Sequence, residues 1–249
     1  MPNKKLQKRI RIFAGPNGSG KSTLYSKIKT EYDIRFGYYV NADEIYVNLK
    51  NNGFIKTSDF GIRSSKKSFK RFYNDSGWNK YVKDNSFLGK WIFKNGKINV
   101  KSHKLKLYDS AILADYFRHN LLKKGETFTF ETVMSHFSKL DFLTEAHNKH
   151  YKVYLYFIAT EDPKVNLERV KLRVGKGGHN VPDEKVKSRY YNSLNLLLDA
   201  VKLCYRSYLF DSTSAIKLVA SVDTKGEIEF ESSTIPRWLK KYVIDKIKS

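Results

Sequence analysis

Cysteine occurs once in these 249 residues, at Cys204, which excludes an internal disulfide framework and suits a reducing compartment such as the cytoplasm. No uninterrupted apolar run approaches the roughly 18 residues that a membrane-spanning helix needs. The opening Met1-Pro2-Asn3-Lys4-Lys5 leads into no apolar signal-peptide core. Cysteine and histidine nowhere stand at zinc-ligand spacing. Acidic residues are scarce: 25 Asp and Glu stand against 47 Lys and Arg, a net charge of +22. Such a field draws in anionic ligands or an acidic protein partner. The lysines are spread along the whole chain and avoid blocks, so no basic, aromatic-lined strip of the kind that tracks nucleic acid is visible. What is plentiful is core material. A hydrophobic content of 41% and an aromatic content of 14% belong to a folded chain, long enough for one large domain.

Near the N-terminus stands Gly15-Pro16-Asn17-Gly18-Ser19-Gly20-Lys21-Ser22, a complete G-x-x-x-x-G-K-S loop. The apolar run Ile10 to Ala14 precedes it and Thr23 to Ile28 follows with helical character, which is the strand–loop–helix setting that the motif requires. Its glycines let backbone N–H groups turn inward around a phosphate chain, and the following helix directs its positive end to the same place. Lys21 is suited to the β- and γ-phosphates and the Ser22 hydroxyl to Mg²⁺, so ATP with Mg²⁺ is the expected ligand. Thr23 completes the nucleotide-binding stretch.

Beyond the loop the chain predicts an α/β fold: an open parallel sheet of the P-loop NTPase and kinase type, with helices on both faces. A second strand, Phe36 to Val40, ends at Asn41-Ala42-Asp43-Glu44. Residues 51–110 lose the βαβ rhythm and carry an Asn95-Gly96 pair between short apolar runs, the signature of a hairpin. They are expected to be an insertion in a single domain whose core covers about 9–213. Helices are predicted over Ala111–Leu122, Leu140–Asn148, Val165–Val174 and Asp183–Leu203, and strands over Phe128–Phe130 (ending at Glu131-Thr132), Val153–Ala159 and Tyr208–Asp211. A C-terminal extension, 214–249, carries a hairpin around Thr224–Glu227 and a helix after Pro236.

Open parallel sheets bind ligands beyond the carboxyl ends of their strands, where the phosphate loop, Asp43 and Glu131 all fall. Phosphoryl transfer asks for cations on the moving group and a carboxylate to take the acceptor's proton. Asp43 is placed for the second task, or else caps the helix that begins near Glu44. Glu131 is placed to hold substrate hydroxyls or Mg²⁺-bound water, or to cap a turn. Cations come from Arg169 and Arg173, four residues apart on one helix face, and from Arg189 beyond the turn Gly175-Lys176-Gly177-Gly178-His179. Helix, glycine-rich turn and helix together make a mobile lid over the phosphates.

The blocks that carry these residues resemble the zeta toxin family, P-loop kinases of bacterial toxin–antitoxin systems. The resembling stretches are Ala14–Thr23, Val40-Asn41-Ala42-Asp43-Glu44-Ile45, Phe130-Glu131-Thr132-Val133-Met134-Ser135-His136, Gly177-Gly178-His179-Asn180-Val181-Pro182, Ser188-Arg189-Tyr190-Tyr191 and Tyr208–Asp211, in the family's order. The resemblance implies Lys21 as phosphate ligand, Asp43 as base, Glu131 at the acceptor site, and Arg169 and Arg173 as catalytic lid arginines. It further implies a UDP-N-acetylamino sugar as acceptor and a small acidic antitoxin as partner. Val133 stands where the family has threonine, with Thr132 or Ser135 to supply a hydroxyl in its place. Asp115 stands where a further acidic substrate ligand is expected. Two other readings use the same phosphate loop: a polynucleotide kinase, and a nucleotide-binding interaction protein without turnover.

Overall fold

The computed structural model describes residues 7–82, 84, 86–175 and 181–248, which form two compact units. The first comprises the chain to Arg35 and again from Glu131 onward; the second is Phe36–Phe130, a wider segment than the insertion expected at 51–110. The first unit opens with β1 (Arg9–Ala14), buried from Ile10 onward, and α1 (Lys21–Glu31).

In the second unit, β2 (Tyr38–Val40) leads into α2 (Ala42–Asn52) and β3 (Phe54–Lys56). Then come α3 (Lys66–Asp75), α4 (Trp78–Tyr81), β4 (Ile92–Lys94), β5 (Lys97–Asn99) and α5 (Leu107–Lys124). The expected hairpin is β4–β5, and its two turn residues, Asn95 and Gly96, both take positive φ, 51° and 68°. Both central residues of a tight I′ hairpin turn need that region, and asparagine and glycine tolerate it best. β3 adds to β5 as a third antiparallel strand, which the short, mixed sequence Phe54-Ile55-Lys56 does not advertise. An aromatic cluster of Phe69, Tyr73, Phe87, Trp91 and Tyr116 fills this unit. Inside it Lys90 forms an ion pair with Asp109 at 2.7 Å, both side chains almost wholly buried. β2 pairs in parallel with the start of β6 (Phe128–Thr132).

The chain then returns to the first unit through α6 (Ser138–Asn148), β7 (Lys152–Ala159), α7 (Pro163–Gly175), α8 (Asp183–Asn195), α9 (Leu197–Lys202), β8 (Arg206–Asp211), β9 (Lys217–Val222) and β10 (Ile228–Phe230). Its sheet runs β10-β9-β8-β7-β1, with β1–β7 and β7–β8 parallel and the last two pairings antiparallel. β7 is apolar almost throughout because a parallel strand covered on both faces has no solvated side to fill with polar residues. The antiparallel β9–β10 ribbon is the C-terminal hairpin, and helical turns from Arg237 to Lys248 follow Pro236.

The single helix expected over Asp183–Leu203 is two helices, broken at Leu196 (φ −87°, ψ −5°). Leu196, Leu197 and Leu198 are all at least 94% buried. No helix among the described residues is long and apolar enough to cross a membrane.

Candidate active site

The first unit builds a tight loop from backbone after β1. β1 ends at Ala14, and the chain then folds so tightly against its neighbours that two loop positions have no room for a side chain. A Cβ on Gly15 (φ +141°) would stand 2.0 Å from Ile158 O, and one on Gly18 (φ +75°) 2.5 Å from Asn166 O. Only glycine fits either place. The loop closes on α1, whose first-turn amides have no intrahelical acceptor and lie at the positive end of the helix dipole. Lys21 Nζ donates to Gly15 O at 3.0 Å and Pro16 O at 2.8 Å, strapping the loop's entrance to its exit. Ser19 O accepts from Ser212 Oγ at 2.8 Å, and Asn17 O from Asn166 Nδ2 at 2.6 Å.

Beside this loop, Ser22 Oγ donates to Glu131 Oε2 at 2.9 Å, and Gly15 N donates to Thr132 O at 3.3 Å. The pairing brings a hydroxyl from the first turn of α1 to a carboxylate 109 positions away. Thr132 spends its own hydroxyl accepting from Met134 N, holding the turn after β6, where Met134 is buried with φ +54°. Among the described residues no group of three or more His, Cys, Asp or Glu could hold a metal. Mg²⁺ does not ask for one. It prefers hard oxygen donors, keeps several waters, and takes one or two protein oxygens plus phosphate oxygens. Ser22 and Glu131 supply a donor set of that kind.

The cations distribute differently from the sequence expectation. Arg169, expected over the transferring phosphoryl group, donates through Nη2 to Ser212 O at 2.6 Å and Thr213 O at 3.3 Å, and through Nη1 to Ser212 Oγ at 3.3 Å. It ties α7 to the end of β8. Arg189 instead reaches the phosphate loop, its Nη1 standing 3.5 Å from Asn17 Oδ1. Arg173 is half-buried near the end of α7. Val170, Val181 and Val186 pack with Leu167 to join α7 and α8, and Tyr190 Oη donates to Thr160 O at 2.6 Å. Burial pushes the Tyr190 hydroxyl well above the usual tyrosine range, so it stays a donor. The Gly177-Gly178-His179 turn of the expected lid lies outside the described residues.

Two candidates belong to the second unit. Asp43 is exposed in the first turn of α2, and it is not the cap: Asn41 Oδ1 accepts from Asp43 N at 2.9 Å and Glu44 N at 3.5 Å. Asparagine in extended conformation just before the first turn is a strong N-cap, which leaves the Asp43 carboxylate unneeded for that role. Asp115, expected to contact substrate, is 8% exposed and engaged within its own unit. It is paired with Arg118, accepts from Trp78 Nε1 at 2.8 Å and lies 3.9 Å from His119 Nε2. The sequence reading missed Asn166 and Ser212. A helix-disfavouring asparagine among apolar residues of α7 is the one local hint of the first.

No family model matches the chain. An uncharacterised protein of Haemophilus influenzae is 30% identical over 94 residues, covering 38% of this chain and 67% of that protein. The crystal structure of the AvrRxo1-ORF1:AvrRxo1-ORF2 complex shares the fold at 17% identity and TM-score 0.55, over 91% of this chain and 62% of that one. The same complex with ATP gives 17% and 0.52, over 91% and 61%. The chain thus spans somewhat less than two thirds of the length of the AvrRxo1 chains. The PezAT toxin–antitoxin system of Streptococcus pneumoniae is similar at 12% identity and TM-score 0.49, over 97% of this chain and 80% of that chain.

Proposed function

We propose that this chain, which belongs to the same family as the uncharacterised Haemophilus influenzae protein and shares the fold of the AvrRxo1-ORF1:AvrRxo1-ORF2 complex, is an ATP-dependent kinase of the zeta toxin type acting on a hydroxyl acceptor. The observation that carries the reading is the Ser22–Glu131 pair beside a glycine cradle strapped by Lys21. A glycine loop alone would bind phosphate; a carboxylate brought against the loop's serine adds the hard-oxygen donors that a triphosphate's Mg²⁺ uses. The AvrRxo1 complex solved with ATP supports the choice of nucleotide.

In this reading Mg²⁺-ATP would supply the γ-phosphoryl group, with ADP as the leaving group. Lys21 exchanges its two carbonyl contacts for phosphate oxygens. Ser22 and Glu131 hold the oxygen shell on the loop's open side. Arg189, already at Asn17, is the lid cation for the transferring group, with Arg173 as the second; Arg169 anchors the helix that carries Arg173. Asp43 accepts the acceptor hydroxyl's proton. The acceptor is a UDP-N-acetylamino sugar, the chain acts in the cytoplasm, and a small acidic antitoxin silences it. Net charge +22 favours such a partner and makes its association salt-sensitive.

Incubation of the purified chain with Mg²⁺-ATP and a panel of nucleotide sugars and oligonucleotides, followed by phosphorus NMR, tests both enzyme and acceptor. A phosphorylated nucleotide sugar is the expected product. Phosphorylated oligonucleotide would replace the acceptor class, and ATP binding with no product would leave an interaction protein. Toxicity is tested by growth: induced wild type should arrest bacteria lacking the neighbouring gene, and Lys21→Ala should not.

A further inference from the structure

Asn166 is completely buried on α7, and nothing in the transfer chemistry above calls for it. Its amide is nonetheless engaged at both ends. Nδ2 donates to Asn17 O at 2.6 Å, while Oδ1 accepts from the buried Thr160 hydroxyl. Ser212, just past β8 and 2% exposed, does the matching thing on the next peptide but one, donating to Ser19 O at 2.8 Å. Both acceptors are carbonyls of the phosphate loop.

A trans peptide is planar, with its C=O and N–H pointing in opposite directions, and the described chain has no cis bond. Pinning the carbonyl of Asn17 therefore aims the N–H of Gly18 the other way, and pinning that of Ser19 does the same for Gly20. Among the described residues neither of those two amides donates to a protein acceptor. Nothing local would hold them so. Both following residues are glycines with positive φ, +75° and +91°, for which a flipped peptide is almost as accessible as the native one. The restraint has to come from outside the loop.

We propose that Asn166 and Ser212 are positioning residues that set two peptide planes of the phosphate loop, so that the Gly18 and Gly20 amides are pre-aimed at a bound polyphosphate. The inference rests on the reading that this loop binds a polyphosphate, and not on any transfer from it. Two loop carbonyls held by side chains from two different elements, α7 and the end of β8, make the anion nest part of the folded core. A flexible turn would have to order itself around each ligand. The ligand class is the polyphosphate group itself, whichever base or sugar is attached.

The test measures binding of Mg²⁺-ATP, inorganic tripolyphosphate and adenosine to the full chain by calorimetry, in wild type, Asn166→Asp and Ser212→Ala. Asn166→Asp keeps the shape and the Thr160 contact but turns a donor into an oxygen facing Asn17 O. It should weaken ATP and tripolyphosphate about 10-fold or more, as expected for a lost buried hydrogen bond, and leave adenosine unchanged. Ser212→Ala should weaken the same two ligands about 3- to 10-fold, with Arg169 still bonded to Ser212 O. In turnover, KM for ATP should rise while KM for the acceptor stays put. A folded variant that binds ATP within 2-fold of wild type (about the error of the measurement) overturns the proposal, and so does a parallel loss of adenosine, which would mean general damage. Should Asn166→Asp fail to fold, Ser212→Ala is held to the same criteria. Wild type that binds ATP and tripolyphosphate without ever transferring phosphate sinks the kinase reading and leaves this one to be decided by the variants.

Discussion

Lys21→Ala separates what the P-loop lysine does for the fold from what it does for the reaction. In the folded chain Nζ makes two hydrogen bonds, to Gly15 O at 3.0 Å and Pro16 O at 2.8 Å, from a half-buried position. Bonds from a charged donor are worth about 1.5–3 kcal/mol when fully buried, and these two are only partly buried. The stability cost should therefore be about 1 kcal/mol, a fall in Tm of about 2–4 °C for a chain of this size. The effect on transfer should be far larger. A charge held on the phosphoryl group in the transition state is worth about 2.7–4 kcal/mol, so kcat should fall about 10²- to 10³-fold. Phosphorus NMR or coupled ADP release, read beside a melting curve of the same preparation, measures both. A variant with wild-type turnover refutes the assignment of Lys21. A variant whose Tm collapses by far more than a few degrees refutes the reasoning from partial burial, because the lysine would then be a core element of the loop.

The two carboxamide and carboxylate residues at the head of α2 should part company: Asn41→Ala should cost about 1 kcal/mol of stability with kcat retained, while Asp43→Asn should keep stability and lose turnover about 10²-fold or more in the same assays. Arg189→Ala should lower kcat with little change in Tm. Arg169→Ala should do the reverse, lowering Tm by breaking its contacts to Ser212 O and Thr213 O; equal kinetic effects from both would sink that division. Burial pushes the Cys204 thiol up to about 12, so at pH 8 thiol reagents should modify native protein far more slowly than denatured protein, as mass spectrometry would count.

Local chemistry was legible in the sequence wherever it is made by neighbours along the chain. The glycine loop between β1 and α1 could be read because its glycines and lysine stand within eight residues, and the β4–β5 turn because Asn95 and Gly96 satisfy its dihedral angles. The parallel strands announced themselves by unbroken apolar runs, and the βαβ order followed. Caps were less legible: Asp43 and Asn41 are both good N-caps, and only the backbone decides which stands one residue before the helix.

What the tertiary structure alone decided is which distant side chains meet. Nothing in the spacing of Ser22 and Glu131 sets their oxygens 2.9 Å apart; the sheet does. Arg169, Arg173 and Arg189 look alike as cations on amphipathic helices, and rotation about a helix axis settles that the first holds Ser212 while the last reaches Asn17. Asp115 likewise reads as a free carboxylate until Arg118 and Trp78 close on it. Periodicity tells which residues share a helix face, but not which element that face will meet. Burial of Asn166 against the loop needs both pieces of information at once, since a polar side chain is tolerated in a core only where a partner 149 positions away is brought to it.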